Sequence, residues 1–433
     1  MKAKKKHSTM PWLIGGGILV LAIAIGIVAF LYTRKNDATI TQRIVSISAS
    51  ARESYEAGEE LDSGDVNVTA ELAENGGTVE LDPGTYRVEP ELVPAHGHDF
   101  EITVTLSLED QDELETFATV LIEREELLRY DIGRTEPEQV QAVLYANGDM
   151  EIVGEGEVKQ YKSSDIPWRS DEVTYLTWID PAAEVESMDY WFAGSQVFGG
   201  MLCPVPDTVQ SMVQTFYQCV AMQSVPDMTT GINLEDITEC YSGSGVKDGG
   251  VLPGNLKTAE GAFRDCVALI HAADSAACVR LANMKNCYSG CSALADTSTP
   301  DCAVNLAGAY QNCLNIKTAV IPSSAQDLDS TFSGCSGLTS VTGEIPATCT
   351  NLAGTFRDCK FLSGDLRINC STQSLSGTFS GAAKNGTGLI IELVWTGEAN
   401  SYQTPEEILQ NLKESLEQQA KEEGCSITVK ILK

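Results

Sequence analysis

The stretch Leu328-Asp329-Ser330-Thr331-Phe332-Ser333-Gly334-Cys335-Ser336-Gly337-Leu338-Thr339-Ser340-Val341 decides the fold, because its frame recurs along the back half of the chain. The recurring core is Leu/Met-x-x-x-Phe/Tyr-x-x-Cys-x-x-Leu/Ile/Met. Clear copies centre on Phe216 (Met212, Cys219, Met222), Tyr288 (Met284, Cys291, Leu294), Tyr310 (Leu306, Cys313, Ile316), Phe332 and Phe356 (Leu352, Cys359, Leu362). Phe263 keeps Cys266 and Leu269, with Ala259 in the first place. Weaker copies are Phe192 with Met188 and Ser195, Ile237 with Cys240, and Phe379 with Leu375 and Ala382. Nine copies at intervals of 21 to 26 residues are the mark of a solenoid. Offsets of four, three and three put the apolar residues on one face of a short helix turn. The stretch Leu338–Val341 then reads as a short strand, and Ile321-Pro322 or Ile345-Pro346 turns the chain. No coil buries its apolar face alone, so the coils must stack. Nine strands at roughly 4.8 Å spacing give a rod about 40 Å long.

A short helix turn plus a strand in each coil is the leucine-rich-repeat arrangement, and the motif resembles the BspA-like leucine-rich-repeat surface proteins. The residues before the first coil resemble that family's β lead-in: Asn147-Gly148-Asp149-Met150-Glu151-Ile152-Val153-Gly154-Glu155-Gly156, then Tyr161 and Pro167-Trp168. The resemblance spans roughly residues 140–388 and implies a secreted or surface-bound protein that contacts host proteins, matrix or other cells. The coils around Ile237–Phe263 depart from the regular frame.

Seven cysteines share one column of the repeat: Cys219, Cys240, Cys266, Cys291, Cys313, Cys335 and Cys359. Ser195 and Ala382 stand in the same column at the two ends. A place that accepts Cys, Ser or Ala calls for a small buried side chain rather than redox chemistry. Cys287 and Cys291 lie four apart without a second ligand pair, which argues against zinc. Cys278, Cys302, Cys349 and Cys370 keep no register in the motif.

Ahead of the coils the chain changes character. From Asp37 to Trp191 there are 37 acids against 9 bases, and from Phe192 to Gly388 only 16 against 10. The whole carries a formal charge of -32, which excludes nucleic acid as a partner, since phosphate contacts need a basic patch. Residues 40–123 alternate with period two in Val66–Ala70, Thr85–Val88, Phe100–Val104 and Thr119–Leu121, separated by turns at Asn75-Gly76-Gly77 and Asp82-Pro83-Gly84. Several short alternating strands indicate an antiparallel sandwich. This region resembles the immunoglobulin-like domains of bacterial surface proteins, which commonly serve as stalks. Residues 131–185 form a β lead-in, with Val140–Tyr145 and Met150–Val153 as a hairpin around Asn147-Gly148. Residues 186–388 are the solenoid, and 389–433 a β-α-β cap. In the cap Thr404-Pro405-Glu406-Glu407 starts a helix and Gly424 ends it.

Trp12 to Tyr32 is an uncharged apolar run long enough to cross a hydrocarbon core of about 30 Å. Lys2, Lys4, Lys5 and Lys6 precede it, while Arg34 and Lys35 follow. The basic excess predicts a cytoplasmic tail over residues 1–11, a single-pass signal anchor over 12–32, and the other domains outside the cell membrane. A cleavable signal peptide would need a small-x-small exit, which Phe30-Leu31-Tyr32-Thr33-Arg34 does not supply.

Catalytic motifs are missing: the four histidines (His7, His96, His98, His271) are scattered, and no phosphate loop or zinc motif occurs. His96-Gly97-His98-Asp99 reads as a polar loop. The acidic clusters Glu59-Glu60-Leu61-Asp62 and Glu109-Asp110-Gln111-Asp112-Glu113 do not fit a calcium loop and read as solvated faces. The expectation is a non-enzymatic binding or adhesion protein without metal or cofactor, whose partner is an extracellular protein or glycan. A structural envelope protein and an extracellular enzyme are the alternatives. In a strand reading Leu-x-x-Val at least one middle residue faces solvent. Stacking then lines up Gln223-Ser224, Ile270-His271, Ala295-Asp296, Lys317-Thr318, Thr339-Ser340 and Ser363-Gly364 as the candidate binding stripe.

Overall fold

A computed structural model describes residues 29–35, 38–72, 77–107, 113–168, 171–371, 374–397 and 403–432. The chain divides into two compact units, residues 2–129 with 143–151 and residues 130–142 with 152–433.

In the first unit alternating apolar residues build two four-stranded sheets over one core. The strands are β1 (Ala29–Lys35), β2 (Ala38–Ala51), β3 (Ser54–Glu56), β4 (Val66–Leu72), β5 (Thr78–Glu80), β6 (Arg87–Glu89), β7 (Asp99–Leu106) and β8 (Leu114–Glu123). One sheet has the order β1-β2-β4-β5, the other β3-β8-β7-β6. Val66, Val68 and Ala70 of β4 and Phe100, Ile102 and Val104 of β7 point into the shared core, as a period of two requires. The expected Asn75-Gly76 turn and the cluster at Glu109–Asp112 lie outside the described residues.

The membrane anchor is corrected here. Residues 12–28 of the expected span lie outside the described residues, but Ala29–Lys35 is a strand paired antiparallel with Ala38–Ile44, Ala29 facing Ile44 and Lys35 facing Ala38. Phe30, Leu31, Tyr32 and Thr33 suit a strand as well as an apolar helix, and β2 supplies the backbone partners. Among the described residues no helix is long and apolar enough to cross a membrane. The single-pass cell-membrane topology read from the hydropathy of residues 12–32 is therefore overturned.

The lead-in comprises β9 (Glu126–Asp131), β10 (Val140–Tyr145), β11 (Asp149–Gly154), β12 (Gly156–Glu157), β13 (Tyr175–Ile179), β14 (Ala183–Glu184) and β15 (Gly200–Met201), with one sheet in the order β15-β13-β11-β10-β9. The last of these, β15, already belongs to the first coil, and among the described residues the later coils add the strands β16 (Thr318–Val320), β17 (Ser340–Thr342) and β18 (Gly364–Cys370). The chain closes with β19 (Leu389–Trp395), α1 (Pro405–Glu423) and β20 (Ile427–Ile431), where β18, β19 and β20 run parallel. Thr404 and Glu407 form a capping box at the start of α1, and Gly424 ends it in the left-handed region at φ 69°.

The coils differ from the expected helix turn. Two residues in each coil, two before and two after the aromatic ring, take positive φ: Gln214 (51°) and Gln218 (55°) around Phe216, Ser330 (52°) and Gly334 (78°) around Phe332. An α-helix cannot tolerate such residues, since left-handed positions reverse the peptide direction. The result is a ribbon with two sets of amides. Met212, Gln214, Phe216 and Gln218 donate to Asp236, Thr238, Cys240 and Ser242 of the next coil at 2.7–2.9 Å, while Tyr217 and Cys219 close back on Gln214 and Phe216. At Gly334 an added Cβ would lie 2.3 Å from Asn312 Oδ1 of the preceding coil, so both the φ and the space call for glycine.

The rings form a continuous stack: Phe192, Phe216, Tyr241, Phe263, Tyr288, Tyr310, Phe332, Phe356 and Phe379, with successive centroids 5.1–5.9 Å apart. Tyr241, not Ile237, is therefore the ring of the third coil, and the intervals narrow to 22–25 residues. Ile237 sits four before that ring, in the buried column of Met212 and Leu328. Cys240 leaves the cysteine column and joins Thr215, Ala262 and Cys287, just before the ring, where all four are buried. Ser244 takes the vacated place and lies 3.5 Å from Cys266 Sγ.

The six remaining column thiols do more than fill space. Each Sγ donates to the carbonyl of the ring residue in the preceding coil, as in Cys335 to Tyr310 and Cys313 to Tyr288 at 3.0 Å. All fourteen cysteines are free thiols. Burial pushes the Cys219 and Cys335 thiols up to about 12, so they hold no thiolate to react. A thiol reagent at neutral pH should accordingly modify half-buried Cys302 and Cys425 first and reach Cys219, Cys266, Cys291, Cys313, Cys335 and Cys359 only after unfolding. Mass spectrometry of timed alkylation checks this; early modification of the column would contradict the packing assignment.

Candidate functional site

The candidate stripe sits where the chain leaves each buried Leu or Ile and crosses to the next corner. Parallel backbone bonds fix its register in two runs, Lys247 N to Gln223 O (3.1 Å), Ile270 N to Lys247 O (2.8 Å) and Ala295 N to Ile270 O (2.9 Å) in the first, and Thr339 N to Lys317 O and Ser363 N to Thr339 O (each 2.9 Å) in the second. Thr318 pairs with Ser340 between β16 and β17. Gln223, Ser224, Ile270, His271, Ala295, Asp296, Lys317, Thr318, Thr339 and Gly364 are exposed, while Ser340 and Ser363 are half-buried.

The structure adds Lys247-Asp248, the pair that follows the ring of Tyr241. Lys247 Nζ donates to Gln223 Oε1 at 2.8 Å, and Asp248 bridges to His271 through the backbone. His271 Nδ1 lies 2.9 Å from Asp296 Oδ2, and Asp296 Oδ1 accepts from Ala272 N at 2.7 Å. The hydrogen bond to Asp296 holds the His271 imidazolium above its ordinary range, with Asp248 adding to the effect. Lys247, Asp248, His271, Asp296 and Lys317 thus set alternating charge along one face, edged by the hydroxyls of Ser224, Thr318, Thr339 and Ser340. Such a face offers donors and acceptors in a fixed row and suits recognition.

Asp149 and Glu151, both in the first unit, form the second polar assembly. Their side chains are 0% and 4% exposed. Asp149 accepts from Arg124 Nη1 (3.1 Å), Asn147 Nδ2 (3.0 Å) and Gly97 N (3.2 Å), and contacts His96 Nδ1 at 2.7 Å. Glu151 pairs with Arg124 Nη2, accepts from Tyr145 Oη (2.8 Å) and contacts His98 Nδ1 (2.8 Å). The Arg124 guanidinium also lies 4.1 Å over the Tyr145 ring. Burial alone would push Glu151 up, but the bonds from His98, Arg124 and Tyr145 outweigh it and hold the carboxyl below its ordinary value. Burial, reinforced by the Glu151 charge, pushes the Tyr145 phenol up. His96 and His98 lie in a loop, as expected, but their imidazoles meet buried carboxylates. Among the described residues no group of three or more His, Cys, Asp or Glu is placed to hold a metal.

No family model matches the chain, and no curated protein matches it. Solved structures similar to it include a leucine-rich repeat protein from Eubacterium ventriosum, 15% identical, covering 64% of this chain and 97% of that one at a TM-score of 0.28. The pneumococcal vaccine antigen PcpA is 10% identical, covering 70% and 98% at 0.28. A leucine rich cell surface protein from Faecalibacterium prausnitzii is 15% identical, covering 60% and 94% at 0.19. At these TM-scores the likenesses carry no argument, and the solenoid rests on the geometry of its own coils.

Proposed function

We propose that the solenoid is a binding module, without catalytic activity, that recognises an extracellular protein or glycan along the row from Gln223 to Ser340. The observation that supports this is the in-register, solvent-facing run of charged and hydroxyl side chains on successive coils. Repeat arrays bind on such extended faces because each coil adds one set of contacts in a fixed frame. The resemblance of the motif to BspA-like surface proteins agrees with this reading.

Replacing Lys317, Thr318, Thr339 and Ser340 together with Glu tests it. These side chains are exposed or half-buried, so the melting curve should stay near that of the wild type. Binding to a glycan array or to immobilised matrix proteins that retain the wild-type chain should fall at least tenfold, since four carboxylates replace the Lys317 charge and the hydroxyl donors of the row. Unchanged retention with normal folding would remove the stripe as the site.

A further inference from the structure

The geometry points to a reversible thiol modification site on the solenoid, in which Cys278 and Cys302 of adjacent coils close a disulfide when a low-molecular-weight disulfide such as oxidised glutathione is present. Both cysteines line one groove of about 580 Å³, together with Asp274, Ser275, Ser298 and Asp301. Cys302 Sγ reaches across to the coil of Cys278, 3.3 Å from Cys278 O and 3.5 Å from Leu281 O. Cys278 is 4% exposed and turns its Sγ to Pro253 O at 3.5 Å.

The two coils are pinned beside each other here. Ser275 Oγ lies 2.8 Å from Ser298 Oγ, and Ser275 N donates to that same oxygen at 3.0 Å. The corners match as well, since Cys278 N closes on Ser275 O at 2.9 Å and Ala303 N on Pro300 O at 3.0 Å. Cys302 therefore stands about one residue out of register with Cys278. With neighbouring coils about 4.8 Å apart and an offset of about 3.3 Å, the Cα atoms are about 6 Å apart, inside the usual disulfide range. Cys278 Sγ faces Pro253 O of the preceding coil, so closing the bond requires that it turn back toward Cys302.

The other thiols lack one of these features. The column cysteines are sealed in the core, and Cys425 lies after α1, away from the groove residues. Cys302 combines access with a neighbouring thiol. In the first step the Cys302 thiolate attacks the glutathione disulfide, forming a mixed disulfide and releasing one glutathione thiolate. Cys278 Sγ then attacks Cys302 Sγ, forming the protein disulfide and expelling the second glutathione. The two cysteine protons end on the two released thiolates, and the oxidant gains the two electrons that the cysteines lose. Burial, with a smaller push from Cys302 and Asp274, raises the Cys278 thiol to about 11, which makes the second step the slow one. Product formation should therefore speed up with rising pH.

The test incubates the reduced full chain with oxidised glutathione, blocks free thiols with iodoacetamide, and digests with trypsin, which cuts at Arg280 and Lys285 between the two cysteines. The expected result is a linked peptide pair fragmenting to Cys278–Cys302, with the chain lighter by two hydrogen atoms. In Cys278→Ser the glutathione should remain on Cys302. In Cys302→Ser no link should form and Cys278 should stay a thiol, a readout that holds even if the buried Cys278→Ser fails to fold. Lasting glutathione on Cys302 of the wild type, or a link from Cys302 to any other cysteine, would overturn the proposal.

Discussion

Phe332→Ala is expected to cost about 3–5 kcal/mol of solenoid stability, read as a shift of the urea midpoint at unchanged slope. The ring is 2% exposed and stacks on Tyr310 and Phe356, with centroids 5.7 Å away on each side at 5° and 9°. Truncation removes the dispersion contacts of both neighbours and leaves a cavity in the middle of the stack. The backbone cannot collapse into it, because Phe332 N donates to Thr355 O at 2.9 Å and Phe332 O takes the Cys359 thiol at 3.1 Å. Thr339→Ala on the same coil should stay within about 0.5 kcal/mol, since its hydroxyl bond to Lys317 O is exposed. Equal costs for the two substitutions would mean that the ring column is not the core.

Arg124→Ala should destabilise the first unit by a similar amount, about 3–5 kcal/mol, by leaving two buried carboxylates without their cation. Its guanidinium reaches both Asp149 and Glu151 and is itself 4% exposed. Lysine cannot replace the fork, so Arg124→Lys should recover only part of the loss. The pH dependence has a defined sign. Glu151 titrates below its ordinary value in the folded chain, so its contribution is present at neutral pH and is lost as pH falls through the folded value. Wild type should therefore lose stability in acid more steeply than Glu151→Gln. Amide exchange measured within that unit reads both effects, and an Arg124→Ala chain within about 0.5 kcal/mol of wild type would contradict the assignment.

The buried columns are legible in the sequence because every coil must fill the same volume, so Met212, Met284, Leu306 and Leu328 repeat where the packing repeats. The left-handed backbone is not. Gln214, Ser330 and Glu239 carry no mark of positive φ, and offsets of four and three fit a helix face as well as an alternating ribbon. Cys240 misleads for a related reason. It sits three after an apolar residue, yet the ring that stacks is Tyr241, and only neighbouring coils reveal which residue does so. Hydropathy over Trp12–Tyr32 cannot separate a membrane helix from a strand, because Phe, Leu and Tyr serve both. His96 and His98 find their carboxylates 53 residues downstream, a pairing made by the fold and invisible to local pattern. Alternation predicts only that one residue of each stripe pair faces solvent, whereas both are exposed in Gln223-Ser224, Ile270-His271 and Ala295-Asp296, which lie outside the extended strands.

The ring-segment amides, such as those of Met212, Gln214, Phe216 and Gln218, donate to the following coil, and that gives the solenoid a polarity with two unlike ends. At the front, Trp191 O takes the indole of Trp168 at 2.9 Å where an earlier coil would have supplied an amide. At the back, the Gly381 amide meets the Glu423 carboxylate, which also accepts from Ser380 Oγ at 3.0 Å, where a later coil would have supplied carbonyls. From the coil of Phe216 to that of Phe332 the ring segment donates forward in the same pattern, while amides outside it, such as Lys257 to Glu235 O, donate back. Whole coils are thus interchangeable units of length: genetic gain or loss of one complete coil leaves each amide with a partner, whereas loss of half a coil sets left-handed residues against the wrong neighbours. The two terminal plugs do not interchange, so the array has freedom to lengthen or shorten in its middle and none at its ends.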